Sequence, residues 1–88
     1  MKNIENVVIL SVEGDYPFKV FRGKLVVAGM EAGFEGVVYQ SVGGPNVRTV
    51  INAEDAEALQ KNGLSVETIE LELQQKVLNG EILIEQNR

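Results

Sequence analysis

Tyr16-Pro17-Phe18-Lys19-Val20-Phe21-Arg22-Gly23-Lys24-Leu25-Val26-Val27-Ala28-Gly29-Met30-Glu31-Ala32 is the stretch whose reading decides the fold, because it suits two different structures. Phe18, Phe21, Leu25, Ala28 and Ala32 recur at spacings of three and four, the pattern of a helix with one buried face. Pro17 would then stand in or just before the first turn, where its missing N–H does no harm. Against a helix, Gly23 and Gly29 weaken an interior, and Val20, Val26 and Val27 favour extended backbone. A hairpin turning at Arg22-Gly23 is the rival. The spacing predicts the helix, closed by Gly33 in the left-handed conformation.

The flanking segments read more directly. Val7 to Val12 is a β-branched run closed by Glu13-Gly14-Asp15, hence a buried strand ending in a turn. Phe34 to Ser41 alternates, and Gly43-Gly44-Pro45-Asn46 signals a turn. Val47 to Ile51 then returns, which makes Phe34–Ile51 a hairpin. Asn52 can cap a helix over Ala53 to Leu59 whose first turn is acidic, with Lys61 in its last turn and Gly63 as its stop. From Val66 to Asn79 two readings compete. Thr68 to Leu73 alternates as a strand would, yet Val66, Ile69, Leu73 and Val77 share a helical face, with Ser65 as N-cap and Gly80 as stop. The helix is favoured. Glu81 to Glu85, around Ile82-Leu83-Ile84, reads as a closing strand.

These elements sum to β-α-β-β-α-β, with an extra helix or strand before the last strand. The expected architecture is a single α+β domain over residues 1–88, a two-layer sandwich in ferredoxin-like order whose sheet is antiparallel or mixed. The 88-residue length leaves no room for a second core, and 44% hydrophobic content with 24% charge is ordinary for a folded chain.

Composition removes several chemistries. The chain has no cysteine and no histidine, so disulfides, thiolate metal sites and a serine–histidine triad are excluded. No Asp-rich calcium loop appears, and neither a metal nor a cofactor is expected. The net charge of −5 is unevenly placed: residues 1–50 hold five basic and five acidic side chains, residues 51–88 three and eight. That acidic half argues against a nucleic-acid surface, which needs a clustered positive field. The apolar run Val7–Leu10 is too short for a signal-peptide core or a membrane span, so a cytoplasmic protein with no membrane partner is expected.

The most informative cluster runs from Asp15 to Lys24. It places Lys19, Arg22 and Lys24 at a predicted strand-to-helix junction, where N–H groups and a helix dipole would favour an anion. The planar guanidinium of Arg22 fits phosphate or carboxylate oxygens best. The plainer reading is that these are ordinary exposed cations. Glu13 to Gln40 also resembles the acylphosphatases, whose pattern is a strand, a Gly-x-Val-Gln-Gly-Val-Gly-Phe-Arg loop, a helix, and Gly-Leu-x-Gly-x-Val-x-Asn on the next strand. Gly14, Phe21 and Arg22 match the loop without gaps, and Gly33, Phe34, Gly36, Val38 and Gln40 follow at the same offsets. The resemblance implies a β-α-β-β-α-β sandwich, with Arg22 binding phosphate and Gln40 near the role of the family's water-positioning asparagine. It departs from the family at Phe18 and Val20, which replace loop glycines. Side chains there would obstruct the N–H groups that such catalysis uses.

Other constellations carry less. Gly43-Gly44-Pro45-Asn46 lacks the Gly-Lys-Ser/Thr ending of a phosphate loop and reads as a hairpin turn. Glu54, Asp55, Glu57, Glu67, Glu70 and Glu72 read as solvated helix faces rather than acid/base pairs. Tyr16, Phe18, Phe21 and Tyr39 are needed as core before they can serve as a stacking platform. The expectation is therefore a non-enzymatic interaction or regulatory domain with a protein or small-anion partner, open to self-association through a sheet edge or a helix. The alternatives are a divergent acylphosphatase and an anion-binding module of that fold.

Overall fold

Ala28 and Gly29 both have positive φ, at 50° and 76°, which makes them the centre of a two-residue type I′ hairpin turn. The computed structural model describes residues 3–15 and 18–82, and within it this turn joins β2, Phe18–Val27, to β3, Met30–Ser41. The expected helix over Tyr16–Ala32 is therefore replaced by a hairpin, and its turn lies six residues beyond Arg22-Gly23. The physical reason is that Phe21, Gly23, Leu25 and Val27 are all buried while Arg22 and Lys24 between them are exposed. That is the period of a strand, and the valines favour it. Of the expected helical stripe, Phe18 ends exposed, Ala28 sits in the turn and Ala32 is buried on β3. Ala28 occupies a left-handed conformation that costs an L-residue about 1–2 kcal/mol. Gly33 is not a helix stop; it sits inside β3 and its N–H donates to Asp55 Oδ2 at 2.8 Å.

β1 covers Ile4–Glu13 and β4 covers Gly44–Ile51, and the four strands form one antiparallel sheet in the order β1-β2-β3-β4. The expected β3–β4 hairpin is present, with Val42-Gly43 as its turn and Gly44, Pro45 and Asn46 already in β4. Helix α1, Ala53–Lys61, starts after Asn52, whose side chain makes no cap hydrogen bond. Helix α2, Val66–Leu78, starts at Ser65, whose Oγ accepts the Thr68 N–H at 3.3 Å. The described elements thus run β-β-β-β-α-α, and the alternating ferredoxin-like order expected above is not found among them. It fails because its first helix is β2. The architecture is α+β and compatible with a two-layer sandwich. The strand expected over Glu81–Glu85 falls mostly on residues 83–88, outside the described residues, with Glu81 and Ile82 in a bend.

The core lies between one face of the sheet and the helices. Phe21, Leu25, Val27, Ala32, Phe34, Val47 and Ile51 face Leu59 of α1 and Ile69 and Leu73 of α2. Its centre is a reciprocal arrangement of two tripeptides, Phe21-Arg22-Gly23 and Phe34-Glu35-Gly36. The antiparallel register sets Phe21 opposite Gly36 and Gly23 opposite Phe34. Each ring lies over the facing glycine: a Cβ on Gly36 would come within 2.2 Å of the Phe21 ring, and one on Gly23 within 2.9 Å of the Phe34 ring. The rings meet edge to face with centroids 6.1 Å apart, a favoured geometry for aromatic pairs. Gly23 is needed on its other side as well, because the same Cβ would stand 2.1 Å from the Val8 carbonyl oxygen.

Helix α2 also seals the sheet's β4 edge. Alternate N–H groups of an edge strand point away from the sheet and template unwanted pairing. On β4 these belong to positions 45, 47, 49 and 51. Pro45 has no N–H; Val47 donates to Asn46 Oδ1 at 2.9 Å, Thr49 to Gln74 Oε1 at 3.1 Å and Ile51 to Glu70 Oε2 at 2.9 Å. Glu70 and Gln74 are four apart, hence on one flank of α2. Glu72, on the other flank, accepts the N–H groups of Asn3 at 2.7 Å and Ile4 at 2.8 Å at the start of β1. The helical carboxylates read as solvated charge thus include two that tie α2 to both edge strands.

Candidate functional site

No described element covers the side of the sheet turned away from the helices except at Gly33, where the Asn52 and Asp55 side chains at the start of α1 approach it. Strand alternation sends Phe18, Val20, Arg22, Lys24 and Val26 of β2 to this side, with Glu31, Glu35, Val37 and Tyr39 of β3. Val8, Ser11 and Glu13 of β1 and Asn46, Arg48 and Val50 of β4 complete it. Phe18 is 59% exposed, Val50 64% and Val8 47%. These values matter because apolar side chains of this size in a small domain are needed for its core first. The exposed Phe18 was expected to be core; as a residue of this outer face it is not.

The residues singled out from sequence are placed apart. Arg22 and Lys24 share the outer face, two residues apart on β2, while Lys19 has the opposite parity and sits half-buried on the helix side. Gln40 pairs with Pro45, also on the helix-side parity of β3, and Arg22 pairs with Glu35. Arg22 and Gln40 therefore lie on opposite faces and about 17 Å apart along the strands. From Phe18 onward β2 is an interior strand, so its N–H groups serve the ladders to β1 and β3 rather than a concave nest.

Two of the outer cations, Arg22 and Lys24, are paired within the face. Arg22 Nε donates to Glu35 Oε2 at 2.8 Å and its Nη1 stands 3.7 Å from Glu13 Oε1. Lys24 Nζ lies 3.4 Å from Glu31 Oε1. Arg48 makes no ion pair among the described residues. Both side chains of the Arg22–Glu35 pair are about half exposed, so water screens it and it stabilises by at most about 1 kcal/mol.

Among the described residues no group of three or more carboxylates converges on a point that could hold a metal ion, and no helix is long and apolar enough to cross a membrane. Every buried side-chain polar atom described has a partner; buried Thr49, for example, donates its hydroxyl to the Glu70 carbonyl at 3.0 Å.

Sequence reasoning passed over Glu13, Glu35, Val37, Arg48 and Val50. The signal that could have found Glu35 is the repeat of Phe-x-Gly at 21–23 and 34–36 with opposite charges at x. Once the two copies pair antiparallel, Arg22 and Glu35 must face each other. Comparison with protein-family models, with curated proteins and with solved structures gives no match.

Proposed function

We propose that the chain is a non-enzymatic interaction domain that engages a protein partner through the outer face of its sheet. The observation that carries this reading is the uncovered face itself, on which Phe18, Val8 and Val50 stay about half or more exposed beside paired charges. Exposed apolar side chains set among balanced charges are what a specific protein contact buries, and here they flank the central Arg22–Glu35 pair. The acylphosphatase alternative needs Arg22 free to hold a phosphate with Gln40 beside it, and the anion-binding alternative needs Arg22 free with Lys19, which has the opposite strand parity. Arg22 is held by Glu35, and Gln40 is on the other side of the sheet. The interaction reading uses every residue of the outer face where it stands.

A capture experiment with tagged wild type and Val50→Asp tests it. Val50 points out of the sheet and is exposed, so the variant keeps its circular dichroism spectrum and melting temperature. Wild type is expected to retain a partner that Val50→Asp loses, either another protein identified by mass spectrometry or untagged wild-type chain added to the mixture and told apart by its size. Identical recoveries for both proteins, or hydrolysis of an acyl phosphate that Arg22→Ala abolishes, would sink the reading.

A further inference from the structure

We infer that the partner is a second copy of this chain, laid face to face across a two-fold axis that runs parallel to the strands between β2 and β3. The inference rests on the interaction reading above and names its partner.

Two rows of the outer face carry the argument. Glu13, Val20, Val37 and Arg48 are successive register partners across the four strands. The row reads acid, valine, valine, base. An axis between β2 and β3 lays β1 of one copy over β4 of the other, and β2 over β3. Glu13 then meets Arg48 of the second copy and Val20 meets Val37, at both ends of the row at once. The next row is Ser11, Arg22, Glu35 and Val50. The same axis sets Arg22 over Glu35 of the second copy, and Val50 over Ser11. On the other side of the Glu13–Arg48 row lie Phe18 and Tyr39, another register pair, and the axis stacks the ring of each on the other's in the second copy. In none of these contacts do like charges meet. An axis across the strands through either row would instead stack Arg22 on Arg22 or Glu13 on Glu13, which costs specificity and affinity. The pattern is self-complementary in one orientation, as an isologous contact requires.

Charge and area agree with a second copy. The chain carries −5, yet the outer face holds Glu13, Glu31 and Glu35 against Arg22, Lys24 and Arg48, which balance. Self-contact through this face escapes the repulsion that the acidic helices would impose. Four strands about 4.8 Å apart and about eight residues long present roughly 500 Å² of sheet, so two copies bury about 1,000 Å², the lower end for a specific contact. Sheets packed this way stand about 10 Å apart with aligned strands, a gap that Arg48 and Glu13 side chains span at the rim.

Sedimentation velocity of the full chain over a concentration series, on wild type, Arg48→Glu and the double variant Glu13→Arg/Arg48→Glu, tests the inference. Both positions are exposed, and circular dichroism confirms that each variant is folded. Wild type is expected to form a dimer that dissociates on dilution. Arg48→Glu sets carboxylates against each other at both ends of the row and is expected to raise the dimer Kd about tenfold or more, and the double variant to return it to within about threefold of wild type. A dimer indifferent to Arg48→Glu, or one that the double variant does not restore, overturns this arrangement. A wild type that stays monomeric throughout overturns the self-association. If Val50→Asp still loses a captured protein, the interaction reading survives without it; if it loses none, both fall together.

Discussion

The two faces of the β2–β3 hairpin are built from the same six residues and behave as different materials. On the helix side, Phe21 over Gly36 and Phe34 over Gly23 interlock without spare volume. On the outer side, Arg22 and Glu35 between them form a half-exposed ion pair. Alternation by single residues therefore puts a close-packed core and an adaptable surface on the two sides of one backbone. The lesson is that the tripeptides Phe-Arg-Gly and Phe-Glu-Gly each carry both jobs, so substitutions one residue apart should separate in kind as well as in size.

The largest effect is expected at the rings. Phe34→Ala removes a fully packed aromatic and uncovers Gly23, and should lower unfolding free energy by about 3–5 kcal/mol in a urea titration. A loss near that of a surface residue would break the contrast. Gly36→Ala adds a single methyl to the same face, where the Phe21 ring leaves no room; about 1–3 kcal/mol is expected, read from the same titration. Combining Gly36→Ala with Phe21→Leu sharpens the point, since the methyl should then cost less beside a smaller neighbour. The smallest effect belongs to the outer side. Arg22→Ala should cost at most about 1 kcal/mol at low salt and less at high salt, because the pair it removes is screened. A salt-independent loss larger than that of Gly36→Ala would invert the comparison.

The same glycines explain which parts of the fold could be read from the chain. The β3–β4 hairpin and both helices were legible because their signals are local: the Gly43-Gly44-Pro45-Asn46 punctuation, although the turn itself falls at Val42-Gly43, an acidic first turn after Asn52, and the Ser65 cap before the Val66-Ile69-Leu73-Val77 stripe. β2 was not. Its core-facing side is filled at position 23 by a ring from β3, so the alternation has a gap where a side chain would have revealed it. Phe21, Leu25 and Ala32, all buried, fit a helical stripe equally well when that gap is overlooked. The site suffered from the same dependence on register. Arg22 was legible as the distinctive cation, but the carboxylate that occupies it is thirteen residues away, and Arg48 joins the face only after three strands are aligned. Gln40 was tied to Arg22 only by the acylphosphatase resemblance, and strand parity separates them.

Pro45, Asn46, Glu70 and Gln74 have a consequence for growth. A sheet with two receptive edges is a bifunctional monomer and can add copies end on end without limit, as a fibre does. With the N–H groups of β4 consumed by its own chain, this sheet is at most monofunctional. Any strand-to-strand addition has to begin at β1, and its product offers two sealed ends. The arithmetic of polymerisation then terminates after a single step, so α2 works as a chain stopper, one that a cell or a concentrated preparation would notice only when it is cut away.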